Sequence, residues 1–300
     1  MPAFYMERTF HVVNVISGIF MIEFFEALTN ISFPFLRNAL FAGILSSVLF
    51  GVLGSIVTVR RIGSLAGAVS HAVLGGIGMA LFLSATIIPG FPPVAGAFIF
   101  AVLSAIIIGL VSLKSKQRED TVINAIWVIG MSLGILFMAK TPGYADPSTW
   151  LFGNILLISG RDLIFLAVLD IIVIFLAWKY YAQIEASSFD EEFARARGVP
   201  VEKVFFILLG LTAAAIVLLQ TFVGLVLVIA MLILPAGCSG VFSHSLGGMM
   251  ASSCIFSALF SIAGLVSGWI FDLPIGAMTV IIAGIVFLGF SAFKAIKRFF

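Results

Sequence analysis

From Phe35 onward the chain is a succession of long apolar runs, at about 35–59, 64–87, 92–113, 121–139, 161–182, 204–220, 222–242, 249–271 and 275–293. A helix needs roughly 20 apolar residues to cross the hydrocarbon of a bilayer. With 62% hydrophobic and 10% charged residues, a water-soluble fold could not hide so much apolar surface, since soluble domains carry about 25% charged residues. The bilayer must therefore be the solvent for most of the chain, and the runs read as membrane-crossing helices. The fold class expected is all-α: a polytopic membrane helix bundle of about eight to ten spans, forming one transmembrane domain over 1–300. The sixth and seventh runs are short and nearly touch, so a break or partial re-entry is expected there, with a kink at Pro235.

The first 33 residues read as an interfacial segment ahead of the first span rather than a cleaved leader. Their apolar stretch is short and is followed by Glu23 and Glu26. Of the 16 basic residues, 12 fall at one set of span ends, 3 at the other and 1 is undecided when the N-terminus is placed outside. The positive-inside rule then predicts a cytoplasmic C-terminus. A net charge of +2 gives no reason to expect nucleic acid as a partner. Cys238 and Cys254 lack metal-site spacing and read as packing residues. Between Lys140 and Gly160, turn residues mixed with Trp150, Leu151 and Phe152 predict a re-entrant or surface helix.

The most polar stretch is 184–203, IEASSFDEEFARARGVPVEK. Ser188 is the expected N-cap of a short helix, with Asp190, Glu191 and Glu192 in its first turn. Arg195 and Arg197 fall in the last turn, and Gly198 ends it. Phe189 and Phe193, four residues apart, would share one exposed face. Such a helix is either a solvated loop element or a docking element for a cytoplasmic partner.

These segments, in this order, resemble the permeases of bacterial zinc, manganese and iron ABC importers. The resemblance runs from about Pro34 to Leu288. It rests on FLRNALFAGILSSVLFGVLGSIVTVRR (35–61), SHAVLGG (70–76), REDTVINAIW (118–127), WLFGNIL (150–156), FDEEFARARGVP (189–200), VGLVLVIAMLILPA (223–236) and DLPIGA (272–277). It implies a helical fold similar to the cobalamin and iron-chelate importer permeases, in the bacterial inner membrane. It also implies a second permease, identical or homologous, two cytoplasmic ATPase subunits and an extracytoplasmic metal-binding protein. Residues 189–198 would be the coupling helix seated on the ATPase. The sequence has no GxxxxGK[ST] segment, so ATP would be bound by the partner and this chain would be no enzyme. The cargo would be a divalent metal ion, with no cofactor held by the chain.

The resemblance also implies an ion-route residue, His71, which lies about 10–15 Å into the membrane at 1.5 Å per residue. Members commonly carry an acid four positions earlier, where this chain has Gly67. A carboxylate added there would be expected to chelate the ion together with His71. Ser64, Gly67, Ala68, Gly75 and Gly78 form a small-residue stripe suited to close helix packing. His71 could equally hydrogen-bond a neighbouring helix across that contact, or meet its copy in a dimer. Asp170, the one acid well inside a span, could supply the missing negative charge, but the favoured expectation is that it is protonated and bonded within the bundle. His244 is expected at an interface, and His11 carries no argument. Two other functions compete. A secondary transporter would need paired mid-membrane acids. An intramembrane serine protease would use Gly237-Cys238-Ser239-Gly240, but lacks a suitably placed histidine.

Overall fold

The computed structural model describes residues 34–114, 119–143 and 146–299, together with 24, 26, 28 and 29. The expected interfacial segment 1–33 and His11 therefore lie almost wholly outside the described residues. The described chain is helical, with no strand. Its helices are α1 (Pro34–Val59), α2 (Gly63–Thr86), α3 (Pro93–Lys114), α4 (Glu119–Lys140), α5 (Pro147–Phe152), α6 (Gly160–Lys179) and α7 (Tyr181–Phe189). There follow α8 (Glu191–Ala196), α9 (Val201–Val223), α10 (Leu225–Ser239), α11 (Leu246–Phe271) and α12 (Ile275–Phe299). Seven are long and apolar enough to cross a membrane, and α6 with α7 makes an eighth, bent by 71° at Tyr180. The remaining apolar run, the seventh, is α10, whose 15 residues are too few for a full crossing.

The sixth run is longer than its apolar core implied, 23 residues in α9, because Glu202 and Lys203 join its first turn. The break between α9 and α10 falls at Gly224, φ +84°, a left-handed geometry that favours glycine. Gly153, φ +64°, approaches it so closely that a Cβ on either would strike the other's backbone. The 140–160 segment thus folds inward as α5 and a 3-10 turn, Ile155–Leu157, and docks on the α9–α10 corner. Asp146 caps α5. The Ser148 hydroxyl and then its N–H donate to the Asp146 carboxylate, holding its pKa below the usual range. The α10 helix runs through Pro235 to Ser239.

The core sits where α1, α2, α9 and α10 meet, around Leu49, Leu53, Leu74, Ile216, Val228 and Met231. The small-residue stripe of α2 packs against α4. A Cβ at Gly75 would stand 2.8 Å from the Gly130 carbonyl oxygen, and one at Gly67 only 2.5 Å from Trp127. Contact this close replaces hydrophobic driving force, which lipid cannot supply, with dispersion. Outward faces stay apolar, as with Leu103 and Ile107 on α3, Ile171 on α6 and Leu288 on α12. That is the pattern of a lipid-facing surface.

Candidate functional site

His71 lies on α2, ten residues beyond the Arg60-Arg61 pair that closes the basic end of α1. It is 6% exposed. Its ring stacks on Trp127 of α4 at 4.5 Å between centroids and 25° between planes. The Nδ1 atom is buried with no hydrogen-bond partner among the described residues. The expectation that His71 bonds a neighbouring helix is thus not met: an indole face cannot occupy the nitrogen lone pair. The imidazole borders a cavity of about 480 Å³ lined by Met131, Leu151, Leu225, Ile229 and Ile233. One polar group therefore faces an apolar hollow between α2, α4 and α10.

The same contact explains Gly67. Trp127 fills the space a side chain would need, so a carboxylate there would meet the indole before it reached an ion. The expectation that Gly67→Asp simply adds a ligand is corrected by this packing. No group of three or more His, Cys, Asp or Glu side chains able to hold a metal exists among the described residues.

Asp170 does not border the His71 cavity. It is buried on α6, and neither carboxylate oxygen has a hydrogen-bond partner among the described residues, which corrects the expectation of a bond within the bundle. His244 is exposed in the turn between α10 and α11. Cys238 is buried, Cys254 is partly so, and neither forms a disulfide. Ser239 is also buried. Its hydroxyl bonds the Met249 carbonyl at 2.9 Å and the hydroxyls of Ser243 and Ser252, and no imidazole among the described residues bonds it. That hydroxyl pins the α10–α11 turn, and the constellation has neither the access nor the base a serine nucleophile requires.

At the basic end of the bundle, α7 and α8 project from the foot of α6. Ser188 is not the cap: it lies inside α7 and donates to the Ile184 carbonyl at 2.6 Å. The cap of α8 is Asp190, whose Oδ1 accepts from the Phe193 N–H at 2.9 Å. A carboxylate at that position accepts more strongly than the hydroxyl two residues earlier could, and it suits the helix dipole. Glu191 and Glu192 occupy the first turn, Arg195 the last, and Gly198 turns the chain at φ +81°. Phe189 ends α7 while Phe193 belongs to α8. They do not share one helix, yet both side chains stand out, 68% and 54% exposed. Arg195 and Glu202 pair at 3.0 Å, and Arg60 and Glu191 at 2.7 Å. The Arg60–Glu191 pair was not legible in the sequence, because 131 residues separate its members.

Comparison with known proteins gives this arrangement its context. The ABC 3 transport family profile matches residues 32–294. The manganese transport system membrane protein MntC of Listeria monocytogenes is 34% identical over 265 residues, 88% of this chain and 91% of that protein. Among solved structures, a chain of PsaBC from Streptococcus pneumoniae in complex with Fab superposes with a TM-score of 0.78. It is 32% identical, covering 90% of this chain and 95% of that one. A transporter described as of the metal-chelate ABC type, in an inward-facing conformation, shares the fold at a TM-score of 0.67 and 16% identity, over 83% and 84% of the two chains. The match takes in the whole described bundle from α1 almost to the end of α12, and the chain belongs to the ABC 3 transport family.

Proposed function

We propose that this chain, as one transmembrane permease domain, is the membrane subunit of an ATP-driven importer of a divalent metal ion: manganese, zinc or iron. The observation that carries the proposal is an α7–α8 corner that displays two exposed phenylalanines, Phe189 and Phe193, at the basic end of a family permease bundle. A cytoplasmic ATPase supplies the groove for Phe189 and Phe193, with Asp190, Glu191, Glu192, Arg195 and Gly198 shaping the helix. ATP is bound by that partner alone. A second permease covers the open side of the His71 cavity, and an extracytoplasmic binding protein delivers the ion at the opposite end. The assembly lies in the bacterial inner membrane, surrounded by lipid, with the C-terminus cytoplasmic. Manganese is the first cargo to test, since MntC is named for it. His71 is the ion-route side chain: a single neutral imidazole binds manganese weakly, which lets an ion pass rather than lodge.

The test is uptake. Proteoliposomes holding the permease and its ATPase, with metal-binding protein and manganese(II), zinc(II) or iron(II) outside, should accumulate at least one of these ions when ATP is enclosed. Accumulation that needs no ATP would overturn the proposal and favour the ion-coupled carrier. Orientation is tested separately by thiol labelling on a background lacking Cys238 and Cys254. An impermeant maleimide applied to intact cells stripped of outer barriers should modify Pro142→Cys and spare Glu192→Cys, both positions being exposed. Labelling of position 192 from outside would reverse the topology.

A further inference from the structure

The Arg60 side chain is 3% exposed, while its partner Glu191 is 56% exposed. The guanidinium also lies over the Phe205 ring, 5.4 Å from its centroid, near the start of α9. Its Nη1 is buried without a hydrogen-bond partner among the described residues. Arg195–Glu202, by contrast, is exposed on both sides, 58% and 47%. Pairs of that kind contribute little to stability. Shielding a guanidinium while leaving one of its N–H groups unmet is a costly way to gain stability, and the best-attested use of such groups is to fix one element against another.

Arg60 touches three elements at once. Glu191 is the first residue of α8, Phe205 belongs to α9, and Arg60 itself begins the connection between α1 and α2. That connection is only Arg60-Arg61-Ile62, with Arg61 in the left-handed region at φ 58°. A non-glycine residue held there is strained, because its Cβ crowds the following carbonyl oxygen. The turn is further closed by bonds from the Arg60 N–H to Ile56 O and from the Ile62 N–H to Val57 O, both 2.9 Å. It has no slack to absorb a displacement. Eight residues beyond Gly63, about 12 Å along α2, stands His71. The α8 helix has six residues, too few to hold its own orientation in water, so its links decide where it points.

We propose that Arg60 is the positioning residue through which movement of the docking helix α8 reaches the His71 helix α2. The pull enters at Glu191, crosses the 2.7 Å pair to Arg60, and passes through the α1–α2 turn into the first turn of α2. Phe205 packs against the guanidinium from α9, so a shift of Glu191 moves the turn rather than only the side chain. This inference rests on the docking role proposed for α8.

The experiment measures manganese(II) accumulated per ATP hydrolysed in proteoliposomes of permease and ATPase, with the metal-binding protein outside. Arg60→Met keeps the apolar stem over Phe205 and removes the charge. The expected result is normal ATPase association and basal hydrolysis, with about a tenfold lower ion-to-ATP ratio, within the usual range of coupling free energies. Arg60→Lys should restore most of the ratio. The Arg60→Met, Glu191→Gln pair should be no worse than Arg60→Met alone, as expected of two residues acting on one link. An unchanged ratio in Arg60→Met, or independent losses in the double variant, would overturn the linkage. Glu191→Gln, altered on the exposed side, gives the same reading if Arg60→Met fails to assemble: a normal ratio there also overturns it. The docking role fails separately, when Phe189→Asp, Phe193→Asp still carries its ATPase.

Discussion

Replacing Phe189 and Phe193 together by Asp is expected to abolish copurification of the ATPase and, with it, ATP-driven metal uptake, while the permease still inserts and folds. Both rings are largely solvated in the isolated chain, so removing them takes little from the bundle. In a docked complex each ring would leave water, and burying a phenylalanine stabilises by about 1.5–3 kcal/mol. Two such losses weaken association by roughly 10²–10⁴-fold at 1.4 kcal/mol per factor of ten. Two carboxylates brought against a groove shaped for aromatics add a desolvation cost. The measurement is affinity purification of the permease from cells producing both subunits, with size-exclusion behaviour as the control for folding. Normal copurification of the ATPase would show that the docking element lies elsewhere on the basic end. The neighbouring cation–π contact, Arg197 over Phe193 at 5.2 Å, would be lost as well. At an exposed site it is worth only about 0.5–1 kcal/mol.

The spans were legible because a bilayer demands long apolar runs, and that demand is written residue by residue. Eight of the nine expected runs coincide with helices long enough to cross once α6 and α7 are joined. The seventh is apolar but shortened by Gly224, whose conformation depends on the approach of Gly153 from 71 residues away. The docking helix was legible in composition but not in its cap. Ser188 and Asp190 are both good N-cap residues, and only the extension of α7 to Phe189 decides between them. The small-residue stripe on α2 correctly indicated tight packing, though it did not reveal that Trp127 would be the residue facing Gly67. The unpaired state of Asp170 was also beyond sequence reasoning, since a lone intramembrane acid looks the same whether bonded or not. Long-range partners carry no local signal. The Arg60–Glu191 link is the clearest case: each residue, read alone, is an ordinary charge near a membrane surface.

The His71 region supports the second large effect. His71→Ala is expected to lower manganese uptake sharply, by roughly tenfold or more if the imidazole contributes one charge-dipole ligand worth about 1.5–3 kcal/mol to the passing ion. Folding should be little affected. The Nδ1 atom has no partner to leave unsatisfied, and the stack on Trp127 is worth only about 0.5–1.5 kcal/mol. Gly67→Asp gives the sharper contrast. An added Cβ would stand 2.5 Å from the Trp127 ring, so the single substitution should overpack the α2–α4 seam and reduce the yield of folded permease. Overpacking of this kind costs typically 1–3 kcal/mol. Combining it with Trp127→Leu removes the obstruction while keeping the seam apolar, and should recover the folded yield. In that background the carboxylate stands one helical turn from His71, on the same face, and adds the hard oxygen ligand that manganese prefers. The double variant is therefore expected to retain manganese in the purified permease and to release it slowly, with lower turnover than the parent. The checks are folded yield by fluorescence-detected size exclusion, bound metal by elemental analysis, and uptake in proteoliposomes. If Gly67→Asp alone folds normally, Trp127 yields more readily than its contact with Gly67 implies. If the double variant folds yet neither holds manganese nor slows its passage, His71 does not line the ion route. In that case the unpaired Asp170 becomes the next side chain to replace.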